Sequence, residues 1–399
     1  MNMVNIDKAI ETEGFRQALK DKVCSRKDFK KNWQNIHTPF NLCKEIAGKL
    51  VEFTGLDNKI ILTLNLEFLE ILCYCYGVKR ENIWFLTDCE EKAKVIKHPR
   101  YVGVNIIIAN YLEWKTDMLF DIICGNPPYN SPDEENKVGF SETLWEDFVK
   151  KSLSLLKEGG FLCLIHPGSW RKPEHELWPI ITKNQIFHLE IHGSDDGRKT
   201  FGCLTRYDWY ILQKRSCYEA TTIIDELGNA SKIDLRNCKF LPNFLIKEVS
   251  ELLVKNGEKS CEILRLRSYD AEREWVSDKK SKKFCHPIIR GIRAENNGGV
   301  TIHYTSRTDK GGFDTPKVIV SNTGNMYALN DFDGKYSFSC LCFGIISDTK
   351  ENAELMTKAL SSKKWNEIIK ATKWCNGPIT DHKMFSYFRK DFWKAFTNE

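Results

Sequence analysis

The sequence predicts an α/β chain in two parts: a doubly wound, mostly parallel sheet over residues 1–230, then a mixed α+β domain over residues 231–399. Three observations lead there. Apolar runs of strand length alternate with amphipathic helical stretches from Asn41 to Leu212. Beyond Ile233 the alternation gives way to short β-like runs separated by turn glycines. Charge divides at the same place: residues 231–399 carry 29 Lys and Arg against 21 Asp and Glu, a balance of +8 that leaves −3 for residues 1–230. At 399 residues, 42% of them hydrophobic and 12% aromatic, each part has the material for a core of its own.

In chain order, residues 1–35 are charged, with Phe15, Ala18, Leu19 and Val23 at helical spacing. Asn35-Ile36-His37-Thr38-Pro39-Phe40 leads into an amphipathic helix over Asn41–Phe53, and a proline suits its first turn. Lys59–Leu64 reads as the first strand, Ile83–Asp88 as the second and Gly103–Asn110 as the third. The fourth, Phe120–Gly125, stops at a glycine followed by Asn126-Pro127-Pro128-Tyr129, where the prolines force the chain out of a ladder. Ser131–Phe140 is polar and expected to be mobile until substrate binds. A helix over Trp145–Leu156, capped by Glu158-Gly159-Gly160, precedes the strand Phe161–Ile165. Ile186–Ile191 and Tyr207–Leu212 supply two more strands, with the loop Gly197–Thr205 between them. In the second part Gly298–Tyr304 and Pro316–Val320 read as strands, Gly324 and Asp333-Gly334 as turns, and Ala353–Ile369 as one helix.

Composition excludes some classes. No apolar run reaches membrane-spanning length and the start is not a signal peptide, so an intracellular protein of cytoplasm or nucleoid is expected. The 15 cysteines lie largely in apolar runs such as Leu72-Cys73-Tyr74-Cys75, without paired Cys-x-x-Cys spacing; they read as reduced core residues, and no metal is expected.

The chemistry centres on Asn126-Pro127-Pro128-Tyr129. Each proline restricts the residue before it to extended angles, so the Asn126 amide and the Pro127 carbonyl are two rigidly held acceptors beside a tyrosine ring. That set suits a planar ring bearing an amine, such as adenine. The exocyclic nitrogen is a poor nucleophile because its lone pair is delocalised. Accepting both N–H groups favours a more tetrahedral nitrogen and aims the lone pair at an electrophile. Tyr129 can stack on the ring face. Asp88, ending the second strand some 20 residues past the first turn, suits both hydroxyls of a bound ribose.

An apolar strand followed by Asn-Pro-Pro-Tyr resembles the amino-methyltransferases that use S-adenosylmethionine. The order of segments over about 230 residues is similar to the gamma-type, TaqI-like DNA adenine-N6 methyltransferases. The resemblance implies a Rossmann-like methyltransferase sheet, S-adenosylmethionine as cofactor, and catalysis by Asn126, Pro127, Pro128 and Tyr129. It implies that Thr38 and Pro39 hold the methionine end, that Asn110 contacts the cofactor adenine where the family usually has Asp, and that Phe201 stacks on the flipped base opposite Tyr129. The family's acidic residue and glycine cluster after the first strand are replaced by Thr63-Leu64-Asn65-Leu66-Glu67-Phe68. Either the Asn65 and Glu67 side chains hold the cofactor, with Glu67 meeting its ammonium, or the site binds it weakly or not at all.

The basic second part resembles, more loosely, the target-recognition domains of TaqI-type enzymes from restriction–modification systems. Double-stranded DNA is therefore the expected partner. Arg198, Lys199 and the run Lys279, Lys280, Lys282, Lys283 are assigned to phosphates, and Arg265, Arg267, Arg290 and Arg293 to base edges. N6 of adenine is preferred over N4 of cytosine because the cytosine enzymes more often have Ser in place of Asn126. Two rival readings are a catalytically weak or inactive methyltransferase-like subunit that binds nucleic acid, and a protein-glutamine methyltransferase.

Overall fold

The computed structural model describes residues 38–88, 99–129, 143–293, 299–375 and 379–397, with a few single positions besides. The expected helix in residues 1–35 and the polar stretch 131–140 lie outside the described residues. The chain divides into two compact units. One takes the described residues up to Trp170 together with His175–Cys238; the other takes Arg171–Glu174 and Lys239–Glu399.

The first unit runs α1 (Phe40–Phe53), β1 (Ile61–Thr63), α2 (Leu66–Glu70) continued by a π-helical turn (Ile71–Cys75), β2 (Ile83–Thr87), β3 (Asn105–Ile108), β4 (Phe120–Gly125), α3 (Trp145–Leu155), β5 (Leu156–Pro167), α4 (Leu177–Thr182), β6 (Asn184–His192), α5 (Ser194–Phe201), β7 (Tyr207–Ser216), β8 (Thr221–Ile224) and β9 (Ala230–Ile233). One nine-stranded sheet has the order β3-β2-β1-β4-β5-β7-β6-β8-β9. The pairs from β3 through β5 are parallel, while β7 lies antiparallel to both β5 and β6. This is a doubly wound, Rossmann-like sheet, and a second unit follows it. The chain works outward from β1 to β3 and then returns to place β4 on the other side of β1. The crevice beyond the carboxyl ends of β1 and β4 is therefore the topological switch point, where open α/β sheets hold ligands.

The core explains the strands. In β4 every residue but Asp121 is buried, as a central parallel strand requires. On α1, Phe40, Leu42, Cys43, Ile46, Ala47 and Leu50 form the buried stripe. Three readings change here. Lys157-Glu158-Gly159-Gly160 is not a helix cap but part of β5, which begins directly after α3 and carries a bulge against β4. A Cβ on Gly160 would stand 2.9 Å from the Lys157 carbonyl oxygen and 3.1 Å from that of Asp121, so the glycine lets two backbones approach. The expected loop from Gly197 is instead largely helix, α5, capped by Gly202 in the left-handed region. Beyond Leu212 the sheet continues through β8 and β9, which the sequence reading did not foresee.

The second unit contains α6 (Ile246–Leu252), β10 (Ile263–Leu264), β11 (Val276–Ser277), β12 (His286–Ile292), β13 (Val300–Thr305), β14 (Lys317–Ser321), β15 (Ala328–Asp331), β16 (Ser337–Phe338), β17 (Cys342–Ile346), α7 (Lys350–Leu360) and α8 (Lys363–Ala371). Two four-stranded sheets form, β10-β17-β14-β15 and β11-β13-β12-β16. The stretch expected as one helix over 353–369 is two, because Ser362 caps α8 by accepting the Trp365 N–H. Trp365, Phe385, Phe388, Phe392 and Phe396 pack edge-on and tilted in the main core.

Among the described cysteines none is bridged; seven are buried, but Cys203, Cys285 and Cys375 are exposed, which departs from a uniform core role.

The second unit contains a buried ion pair. Lys317 Nζ lies 2.5 Å from Asp331 Oδ2, with the two side chains 0% and 2% exposed. The ammonium also donates to the Gly312 and Thr315 carbonyls, and Asp331 accepts the Lys335 and Tyr336 N–H groups. Asp331→Ala would strand the ammonium and leave those two N–H groups unpaired. A loss of about 3–5 kcal/mol is expected, read as a lower denaturation midpoint, whereas a shift no larger than a surface mutation gives would show that the pair is dispensable.

Candidate active site

The site is built where β1 and β4 end side by side. Their register pairs Thr63 with Cys124, so Asn65 and Asn126 emerge from neighbouring strands into the same crevice. Asn65 Oδ1 accepts the Asn126 backbone N–H at 2.5 Å, and Asn65 Nδ2 donates to the Asn126 carbonyl at 3.5 Å. One amide side chain thus clasps both sides of the Asn126 backbone. Gly125 makes room for this, because a Cβ there would stand 2.9 Å from Asn65 Oδ1.

Thr38 completes the arrangement. It is fully buried, and its Oγ1 accepts from Asn126 Nδ2 at 3.2 Å. With its nitrogen so engaged, the Asn126 amide presents its oxygen, which is buried and has no hydrogen-bond partner. An unsatisfied buried acceptor costs free energy, and such groups recur at functional sites awaiting a donor. Pro127 and Pro128 are buried and Tyr129 half-buried. The Tyr129 carbonyl accepts the Leu144 N–H at 3.0 Å, while its hydroxyl is buried without a partner. Burial pushes that phenol well above its ordinary value, with Cys203, Tyr207 and Asp208 acting in the same direction.

The remaining predicted cofactor residues lie along the same edge. Asp88 follows β2 directly and is half-buried. Glu67 is buried in the first turn of α2. Asn110 follows β3, but its Oδ1 accepts the Leu112 N–H at 3.0 Å and its Nδ2 donates to Glu113 Oε1 at 3.3 Å, so it also starts a local turn. Pro39 precedes α1, and its carbonyl accepts the Cys43 N–H. Asn65 and Thr38 hold Asn126, a role the sequence reading missed. An amide at the place of the expected glycines was the available signal.

Phe201 ends α5, packs partly buried against the core, and meets Tyr207 edge-on with ring centroids 4.9 Å apart. Arg198 and Lys199 are exposed on the same helix. Below them lies a network that the sequence reading also missed, although His188-x-Glu190-x-His192 places three titratable groups on one strand face. His188 Nε2 lies 2.8 Å from Glu190 Oε1 and His192 Nδ1 lies 2.7 Å from Asp196 Oδ2. Tyr207 donates to the same Asp196 oxygen at 2.8 Å and stacks on His192 at 4.3 Å. Burial works to lower His192, yet the Glu190 hydrogen bond and the Asp196 and Glu190 charges raise it above its ordinary value. Burial works to raise Glu190, yet the two histidines bring it down to about 2. Glu45, from α1, faces the same cluster and is raised chiefly by burial and then by Glu190.

In the second unit Lys279, Lys280, Lys282 and Lys283 are exposed between β11 and β12, and Arg293 is exposed just past β12. Arg290 donates to Ser339 Oγ at 3.3 Å and Arg265 to the Cys342 carbonyl at 2.9 Å; Arg267 is exposed. Among the described residues no group of three or more His, Cys, Asp or Glu could hold a metal ion, and no helix is long and apolar enough to cross a membrane.

The His192 network predicts a pH dependence. Because folding raises the pKa of His192, its contribution to stability is complete below about pH 6.5 and drains away as pH rises through the higher folded value. The melting-temperature difference between the wild type and His192→Gln is therefore expected to be largest below pH 6.5 and to shrink above it. A difference that stays constant from pH 5 to 9 would show that His192 carries no charge in the fold.

Comparison with known proteins fits this geometry. Residues 64–188 match the family model described as Eco57I restriction-modification methylase. A similar curated protein is the Type II methyltransferase M.TthHB8I of Thermus thermophilus, 31% identical over 103 residues, an alignment covering 18% of this chain and 24% of that protein. The chain thus spans about a quarter of the length of the curated relative it matches. Among solved structures, the Type IIL restriction-modification enzyme MmeI in complex with DNA aligns with a TM-score of 0.46 at 11% identity, over 97% of this chain and 66% of that one. The type IIG restriction endonuclease BpuSI aligns with a TM-score of 0.45 at 10% identity, over 91% and 61%. Over residues 64–188 the chain matches a restriction–modification methylase family.

Proposed function

We propose that the chain transfers a methyl group from S-adenosylmethionine to the N6 amine of an adenine turned out of double-stranded DNA, at a specific sequence, in the gamma-type, TaqI-like arrangement. One observation carries the reading: the Asn126 amide oxygen, buried and without a partner, on a side chain held by Thr38 and a backbone held by Asn65. It is an acceptor prepared for one N–H of the substrate amine. The Pro127 carbonyl takes the other N–H, which leaves the nitrogen lone pair free to attack. Tyr129 and Phe201 supply ring faces for the base.

The residues present fit the cofactor. Asp88, Glu67 and Asn110 stand at or just past the carboxyl ends of three neighbouring parallel strands, the side on which such sheets hold nucleotides. Asp88 would hold the ribose hydroxyls, Glu67 the ammonium and Asn110 the adenine amine, with Pro39 nearby at the start of α1. S-adenosylmethionine, when bound, supplies an electrophilic methyl group, so no metal is required of the protein. Thr38 and Asn65 act by orienting Asn126. The second unit is assigned to target recognition, on its basic balance and the exposed Lys279, Lys280, Lys282 and Lys283.

Methylation-sensitive sequencing of DNA from cells expressing the chain tests the reading directly. Asn126→Ala is expected to cost about 3–4 kcal/mol of transition-state stabilisation, a loss of turnover of roughly a hundredfold to a thousandfold, with DNA binding retained. Turnover at the wild-type rate would reduce the Asn-Pro-Pro-Tyr segment to a turn. In calorimetry Asp88→Ala is expected to weaken S-adenosylmethionine by about 1–3 kcal/mol. A wild-type chain that gives no cofactor heat, with or without DNA, would sink the enzyme reading in favour of a nucleic-acid-binding subunit.

A further inference from the structure

The second unit contains a cavity of about 320 Å³ that the proposed methyl transfer does not use. Lys172, Arg265, Arg267 and Lys373 line it, against a single carboxylate, Asp381. That carboxylate already accepts the Lys383 N–H at 3.1 Å. No ion pair to Arg265 or Arg267 is found among the described residues, and Arg265 Nε is buried without a hydrogen-bond partner. Burial lowers Arg265, and the neighbouring Arg267 adds to that. His382 is also lowered by burial and by Arg265, so it does not add to the positive charge near neutral pH.

We propose that this cavity is a phosphate-binding subsite, in which Arg265 and Arg267, expected from the sequence at base edges, instead present their guanidinium forks to one phosphoryl group beside Lys172 and Lys373. Two guanidinium groups that no described carboxylate pairs, Arg265 and Arg267, call for an anion. Guanidinium forks match the spacing of phosphate oxygens better than they match halide. The same chemistry is found on a nucleic-acid strand and on a free nucleotide. A strand as the source rests on the DNA reading above; the anion chemistry does not.

The test uses the full chain with three probes: inorganic phosphate, adenosine 5′-monophosphate, and a DNA duplex titrated across a salt series. Arg267→Gln changes an exposed residue and tests the fork without threatening the core; Arg265→Lys keeps the charge and removes the fork. If the subsite is real, phosphate or the monophosphate raises the wild-type melting temperature above chloride at equal ionic strength, and either variant weakens that binding roughly tenfold or more. A strand source predicts in addition that Arg267→Gln weakens duplex binding and lowers its salt slope by about one unit. A free-nucleotide source predicts monophosphate binding lost with duplex binding unchanged. If neither variant alters the binding of any probe, the cavity is a solvated one and the proposal falls. Methyl transfer is read on the same samples: a wild type that fails to methylate DNA yet binds phosphate through Arg267 would overturn the function proposed above and leave this one standing.

Discussion

The Asn65 amide, closed on the backbone of Asn126, is the contact on which the candidate site depends. A loop ending in two prolines is rigid within itself, but rigidity alone does not set where it points. The 2.5 Å bond from the Asn126 N–H to Asn65 Oδ1 ties the loop to the strand next door. Gly125 keeps the space between them open. The first turn of a doubly wound sheet commonly uses glycines so that a ligand can approach the backbone. Here an asparagine occupies that turn and makes the close approach itself, to the Asn126-Pro127-Pro128-Tyr129 loop.

Polar side chains carry a large share of the order around this crevice. Thr38 sets which way the Asn126 amide faces. Trp170 donates to the buried Asp208 at 2.7 Å, and His166 lies 3.1 Å from the Tyr210 hydroxyl while stacked on Trp145. Glu70, fully buried, is met by Arg100, whose guanidinium lies over the Tyr74 ring. Buried polar groups that are fully paired specify one arrangement of a core, because any slip leaves a partner stranded. Among the buried polar atoms of the first unit left without a hydrogen-bond partner, the oxygens of Asn126 and Tyr129 lie on one loop at the switch point.

The second unit follows a different logic. Its sheets are short, and its main core is a cluster of aromatic rings that includes Trp365 and four phenylalanines from the C-terminal stretch. Such a core tolerates long, polar connections at the surface, and those connections carry most of the basic residues. The two units are thus stabilised in two ways: a mostly parallel sheet with buried polar ties, and an aromatic core under a cationic surface.

By itself the sequence determined the strand Phe120–Gly125, bounded as expected, and the exit forced by Pro127 and Pro128, because apolar runs and prolines act locally. The alternation of strands and helices was legible for the same reason. Only the tertiary structure decided what surrounds Asn126, since its partners Asn65 and Thr38 lie 61 and 88 residues away in the chain, Asn65 reaching it through the parallel pairing of β1 with β4 and Thr38 from the segment before α1. The same distinction explains the misread elements. Ser194–Phe201 has almost no apolar periodicity, so its helix is visible only once His192 and Tyr207 hold Asp196. Gly159-Gly160 looks like a helix stop from either side. It becomes a strand bulge because the neighbouring strand brings the Asp121 carbonyl to where a side chain would have to stand.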